Sequence, residues 1–201
     1  ARQLAIFRKL LRFTAFISFP AMLGLSLVSK ELIVITITEK WLPSAYILQL
    51  LCIWGAFIPI TNLFSNLIIS RGYSSIYMWN TIGLSIVQII AVCAMFPFGL
   101  EWMLRIFVLI NISWLFVWLV FVKREIGLTL RDMLKDISPY LLLSTVLVLG
   151  THYATHSIEN LYLSMAVKVI IVASLYVLTL WKLHSVILQE SIEFLLKKRK
   201  K

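Results

Sequence analysis

The chain has 201 residues, of which 61% are hydrophobic and only 14% charged, with a formal net charge of +10. A soluble domain is about 45–50% apolar and about 25% charged, so this composition excludes an ordinary water-solvated globule and describes a chain solvated by lipid. A nucleic-acid partner is excluded as well, because the basic residues lie between and after the apolar runs and not over one soluble face.

A bilayer core of about 30 Å needs about 20 apolar residues per helix, and six stretches supply them. Before the first, Leu4, Phe7 and Leu11 recur at helical spacing among Arg8, Lys9 and Arg12. That pattern predicts a helix along the headgroup plane. The first span runs from Phe13 to about Leu32 and ends in the polar break Ser29-Lys30-Glu31, with a less regular apolar tail through Ile37. It contains Pro20 and Gly24, which a helix in lipid tolerates when neighbours re-satisfy the freed backbone groups. The second span covers Ala45 to Ile69 and closes at Arg71-Gly72; the third covers Ile76 to Phe96, stopped by Pro97 and Gly99. The fourth runs from Trp102 to Val122, stopped by Lys123-Arg124-Glu125. From Ile126 to Ile137, Leu130, Met133, Leu134 and Ile137 share a face away from Arg131, Asp132 and Lys135, which again predicts an interfacial helix. The fifth span is Ile137 to Tyr153 and the sixth Leu161 to Trp181.

After the sixth span, Ile187, Leu188, Ser191, Ile192 and Leu195 form a stripe ahead of the basic run Lys197 to Lys201. This is either an interfacial helix on anionic lipid or a solvated end. The organisation expected is therefore all-α and integral to the membrane: a six-helix bundle over residues 1–184 and a basic amphipathic cytoplasmic tail over 185–201. Fifteen lysines and arginines fall on one side of these spans, against Lys30, Lys40 and Arg105 on the other. The positive-inside rule then puts both ends of the segment in the cytoplasm, as an even number of crossings also requires. The start at Ala1, without Met or a signal peptide, suggests a piece of a longer protein.

No phosphate loop, paired carboxylates or Ser/His/Asp arrangement is present, so no catalytic residue, cofactor or metal is assigned, and a carrier is favoured over an enzyme. Cys52 and Cys93 lie in apolar runs and make no disulfide framework. His152, His156 and Glu159 have a spacing that a metal pair could use, and equally that of side chains capping a span's outer end.

Polar residues inside the spans are costly and hence informative. In the second span, Gly55, Pro59, Asn62, Asn66 and Ser70 form one stripe; in the third, Thr81, Ser85 and Gln88 form a shorter one. Each stripe either packs helix on helix or lines a wet cavity. Lys168 sits about 10 Å into the sixth span, free to snorkel outward or to face a cavity. Arg105 follows Glu101 by one helical turn, and an intrahelical pair between them is the simpler expectation. Asp and Glu are absent from every expected helix centre.

The runs Phe19-Pro20-Ala21-Met22-Leu23-Gly24-Leu25, Trp41-Leu42-Pro43-Ser44-Ala45 and Leu48-Gln49-Leu50-Leu51-Cys52 resemble the later half of WzxC-type polysaccharide flippases. So do Ile60 to Asn66, Ser70-Arg71-Gly72-Tyr73-Ser74, Lys123 to Leu128 and Leu134 to Tyr140. The resemblance implies the multidrug/oligosaccharidyl-lipid/polysaccharide export superfamily, whose members have two helical bundles around a cavity of alternating access. It also implies an undecaprenyl-diphosphate-linked oligosaccharide as cargo, the bacterial inner membrane as location, and a missing N-terminal helical bundle of the same protein as partner, with membrane lipids around it. The family carries no universal signature of site residues. Depth and charge nominate Lys168, Arg105 and Arg71 as cations for a diphosphate, and Asn62, Asn66 and Gln88 as donors along its path. Competing readings are a drug or metabolite antiporter of the same superfamily, a membrane enzyme of polysaccharide assembly, and a structural membrane subunit.

Overall fold

The structure, a computed structural model, describes residues 2–155, 158 and 160–182. The described residues form eight α-helices: α1 (Arg2–Leu27), α2 (Ser29–Thr36), α3 (Pro43–Gly55), α4 (Ile58–Ser70), α5 (Ser74–Met95), α6 (Leu100–Ile126), α7 (Leu130–Ala154) and α8 (Leu161–Lys182). With α3 and α4 joined end to end, six segments are long and apolar enough to cross a membrane: Arg2–Leu27, Pro43–Ser70, Ser74–Phe98, Leu100–Ile126, Leu130–Ala154 and Leu161–Trp181. The chain is an all-α, multi-pass membrane protein. The start of α1, the end of α4, the end of α6 and the start of α7 share one end of the bundle, here called the basic end after Arg71, Lys123 and Arg124.

Two predicted interfacial helices do not exist as separate elements. Residues 2–12 are the first turns of α1, and residues 130–137 are the first turns of α7. In α1, nothing after Arg12 breaks the helix, and Phe7 and Leu11 pack in the core, with the Phe7 ring 5.7 Å from that of Phe64. A helix of 26 residues rises about 39 Å, so about 9 Å of α1 extends beyond the hydrocarbon without needing a bend. The apolar stripe therefore meets protein and not lipid. In α7, Met133 and Ile137 are buried likewise, while Leu130 and Leu134 of the same predicted face stay exposed. Gly127, at φ 75°, ends α6 in the left-handed conformation that glycine adopts without a Cβ clash, and Thr129 then caps α7 by accepting from Asp132 N.

The first span also ends earlier than expected, at Leu27. Val28 leaves the helix (φ −96°, ψ 11°) and α2 starts anew at Ser29. The predicted tail beyond residue 184 lies outside the described residues, as do His156 and Glu159.

At two places in the spans, Pro20 and the break ahead of Pro59, freed carbonyls are satisfied by side chains from other helices. Pro20 has no N–H, which frees the carbonyl of Phe16 one turn earlier, and the Tyr176 hydroxyl of α8 donates to it at 2.8 Å. The α3–α4 break, just ahead of Pro59, frees the Ala56 carbonyl, and Ser18 of α1 donates to that oxygen at 2.6 Å. Each bond satisfies a freed carbonyl and joins two helices at once. The same break lets α1 come close: Gly55 faces the Met22 terminal methyl where a Cβ would stand. The core runs through the α1, α4, α6 and α7 interface, around Phe19, Phe64, Leu115, Trp118 and Ile137. α5 lies at the rim, with Asn80 its one buried residue.

Candidate functional site

On α4 the stripe seen in the sequence turns out of the bundle. Pro59, Asn62, Asn66 and Ser70 are exposed, and only Gly55 is buried. Neither the Asn62 nor the Asn66 amide has a hydrogen-bond partner among the described residues. Gly55 packs against α1, while the exposed polar part of the stripe does not pack within this bundle. The stripe ends at Arg71, whose Nη2 donates to Gln3 Oε1 at 2.5 Å. There a groove of about 440 Å³ opens between the start of α1 and the ends of α4 and α6, lined by Gln3, Ser70 and Arg71 among apolar residues. From Arg71 to Asn62 the helix rises about 13 Å, so cation, hydroxyl and two amides make a continuous polar track from the basic end into the span.

The α5 stripe behaves differently. Thr81 and Ser85 are exposed and their hydroxyls donate to the carbonyls of Tyr77 (2.9 Å) and Thr81 (3.0 Å) one turn back, as Ser70 of α4 donates to that of Leu67 (2.8 Å); the difference lies in the amide. Gln88 is turned toward α6, where its Nε2 donates to Asn111 Oδ1 at 3.0 Å, and Asn111 in turn donates to the Phe107 carbonyl at 2.7 Å. Two turns away Trp114 Nε1 donates to the buried Asn80. This seam holds α5 to α6 by hydrogen bonds, the means available where lipid is as apolar as the side chains.

Arg105 sits near the far end. Its Nε donates to the Tyr46 hydroxyl at 2.6 Å, its Nη2 pairs with Glu101 at 3.2 Å, and its guanidinium lies 4.9 Å from the Trp102 ring centre. The expected intrahelical pair forms, and the charge is shared with α3 through Tyr46.

Lys168 neither snorkels nor stands as a free charge. It is 8% exposed and bonds Glu31 of α2, itself 6% exposed, and Ser164 donates to the same carboxylate oxygen at 3.0 Å. A second buried acid, Asp136, is 3% exposed and lies in the second turn of α7; neither acid stands at the centre of a span. Glu31 belongs to α2 and not to a loop, and that helix folds against α8. Lys168 also lines a largely apolar groove of about 500 Å³ between α1, α2 and α8.

Asp136 organises the cluster at the basic end. Arg8 grips it with two bonds of 2.7 and 3.1 Å and reaches Asp132 at 2.9 Å, while Arg12 stands 3.6 Å away. The sequence signal was a matching pair of spacings, two arginines four apart and two aspartates four apart, here on facing helices. The six nominated residues are thus dispersed. Asn62, Asn66 and Arg71 share one track, while Gln88, Arg105 and Lys168 each occupy a separate contact. Among the described residues no group of three His, Cys, Asp or Glu side chains could hold a metal ion.

Residues 2–46 match the family described as "Polysaccharide biosynthesis protein". Over 65 residues the chain is 40% identical to an "Uncharacterized membrane protein in cps region" of Klebsiella pneumoniae. Over a stretch of equal length it is 37% identical to the "Lipopolysaccharide biosynthesis protein WzxC" of Escherichia coli (strain K12). Each match covers 32% of this chain and 13% of the relative. The likeness to WzxC-type proteins read from the runs quoted above is thus found again by comparison, over a shorter stretch. No solved structure matches the chain.

Proposed function

We propose that this chain is one six-helix bundle of a carrier that moves an undecaprenyl-diphosphate-linked oligosaccharide across the bacterial inner membrane for surface polysaccharide biosynthesis. Its basic end faces the cytoplasm, a second bundle of the same protein faces α4, and no catalysis is involved. The relatives' names support the polysaccharide setting, and the excess of lysine and arginine at one side supports the orientation.

The observation that carries the reading is the α4 track. Two amides without partners on the outer face of a membrane span cost several kcal/mol each if lipid covers them, at about 2–7 kcal/mol per unpaired polar group. A hydrated cleft removes that cost, and a diphosphate needs such a cleft because it cannot shed its hydration into hydrocarbon. Arg71 offers charge at the cytoplasmic mouth, and Ser70, Asn66 and Asn62 offer hydrogen bonds beyond it. Gln88, Arg105 and Lys168 act on the path through the helices they position, since each is tied to another helix, whereas Arg71 is exposed and meets only Gln3 at the mouth.

The test is the full-length protein carrying Asn62→Leu with Asn66→Leu. Protein abundance should hold, since neither amide is packed, while undecaprenyl-linked glycan accumulates in the cytoplasmic leaflet and surface polysaccharide falls by about tenfold or more. Normal surface polysaccharide in that variant would remove the track from the cargo path. Unchanged glycan with altered dye efflux would point to the antiporter reading.

A further inference from the structure

Five buried side-chain polar atoms lack a hydrogen-bond partner among the described residues, and two of them, Ser29 Oγ and Glu31 Oε2, lie within three residues on the short helix α2. An unpaired polar atom kept from water is costly, and a carboxylate oxygen more so. A second arrangement of the same element in which they meet water would remove that cost.

The surroundings of α2 allow one. It follows α1 through the non-helical Val28 and packs on α3 as well as α8, and one turn before Val28 no side chain and no other helix lies within 4 Å of where a Gly24 Cβ would stand. On its other side α2 is held to α8 by Glu31, whose Oε1 accepts from both Lys168 and Ser164. Alongside this contact lies the groove of about 500 Å³, bounded by Gly24, Val28 and Leu32 on one wall and Met165, Lys168 and Val172 on the other. The pair therefore spans an underpacked space.

We infer that α2 is a strap, closed onto α8 by the Glu31–Lys168 pair and able to swing about Val28. In the open arrangement the pair parts, and Ser29 and both Glu31 oxygens meet water. An ion pair suits such a device, because its attraction weakens by more than an order of magnitude between a dry and a wet setting. The two arrangements are then paired and dry, or parted and hydrated, with little between them. Opening uncovers the groove at the level of Lys168. That this opening serves carriage rests on the function proposed above; the motion does not.

The experiment uses the full-length protein in membranes, with its other cysteines replaced. Ser29→Cys and, as a control, the buried Ser144→Cys are labelled with a water-soluble maleimide in the otherwise native chain, in Glu31→Gln and in Lys168→Gln. Labelling at Ser29→Cys is expected to rise about tenfold or more in either variant, with Ser144→Cys unchanged. Equal labelling in all three backgrounds overturns the strap. A parallel rise at Ser144→Cys overturns it too, since the pair would then hold the whole bundle and not one helix. In a second arm, Glu31→Cys and Lys168→Cys are joined by a short bifunctional thiol reagent. Arrest of glycan export, reversed on reduction, ties the strap to carriage. Export that continues through the cross-link breaks that tie and leaves the labelling result standing.

Discussion

Two ion clusters join the first two helices, α1 and α2, to their neighbours, and they are built to different standards. At the basic end, Arg8 meets Asp136 with two bonds and Asp132 with a third, and Thr129 donates to the other Asp132 oxygen at 2.6 Å. Aromatic and aliphatic side chains pack around the joint, with Phe16 and Tyr140 edge to face at 6.1 Å. At the far end, Glu31 meets Lys168 beside an open groove, and its second oxygen has no partner among the described residues. A fully satisfied cluster on a packed interface defines one geometry, while a half-satisfied one over a void leaves a second geometry within reach. The bundle is thus fixed where α1 meets α7 and loose where α2 meets α8.

The sharpest way to break this comparison is Asp136→Ala, which leaves Arg8 without its main partner. A loss of about 3–5 kcal/mol is expected, read from denaturant titration of the purified protein in detergent. A loss below about 1 kcal/mol would mean that lipid headgroups serve the arginines and that the joint is not a fixed one. A middle effect tests the basic-end half of α8, which Tyr176 holds to α1. Tyr176→Phe orphans the Phe16 carbonyl and should cost about 1–3 kcal/mol. In a Pro20→Ala background, where residue 20 again has an N–H for that carbonyl, the same change should cost close to nothing beyond lost packing. Equal costs in both backgrounds would refute this account of the freed carbonyl.

The smallest effect is expected at the far end. Replacing Glu31 and Lys168 together by Met removes both charges at nearly constant volume and should leave stability within about 1 kcal/mol of the parent, or raise it. A large loss would show the pair to be a structural joint equal to the other, and the contrast would vanish.

Much of the architecture was legible without coordinates. All six spans stand where the apolar runs placed them, the sixth at its stated limits and the others within a few residues, apart from the ends of the first and the start of the fifth. The misses at the starts of the first and fifth spans share a cause. Residues 2–12 and 130–137 carry the stripe of an interfacial helix, and a stripe records only that one face avoids water. It does not say whether lipid or protein covers that face. The same ambiguity applied to polar stripes: the α4 and α5 patterns looked alike, yet α5 turns its amide inward to Asn111 while α4 turns its two outward.

The sequence by itself determined the class of this protein, because the length of an apolar run and the position of cationic residues act locally, one helix at a time, against a slab of fixed thickness. Only the tertiary structure decided which charges are free. Glu31 and Lys168, 137 positions apart, and Arg8 and Asp136, 128 apart, neutralise one another solely because their helices pack side by side. In a medium that cannot solvate a lone charge, that choice of neighbours separates a site from a joint.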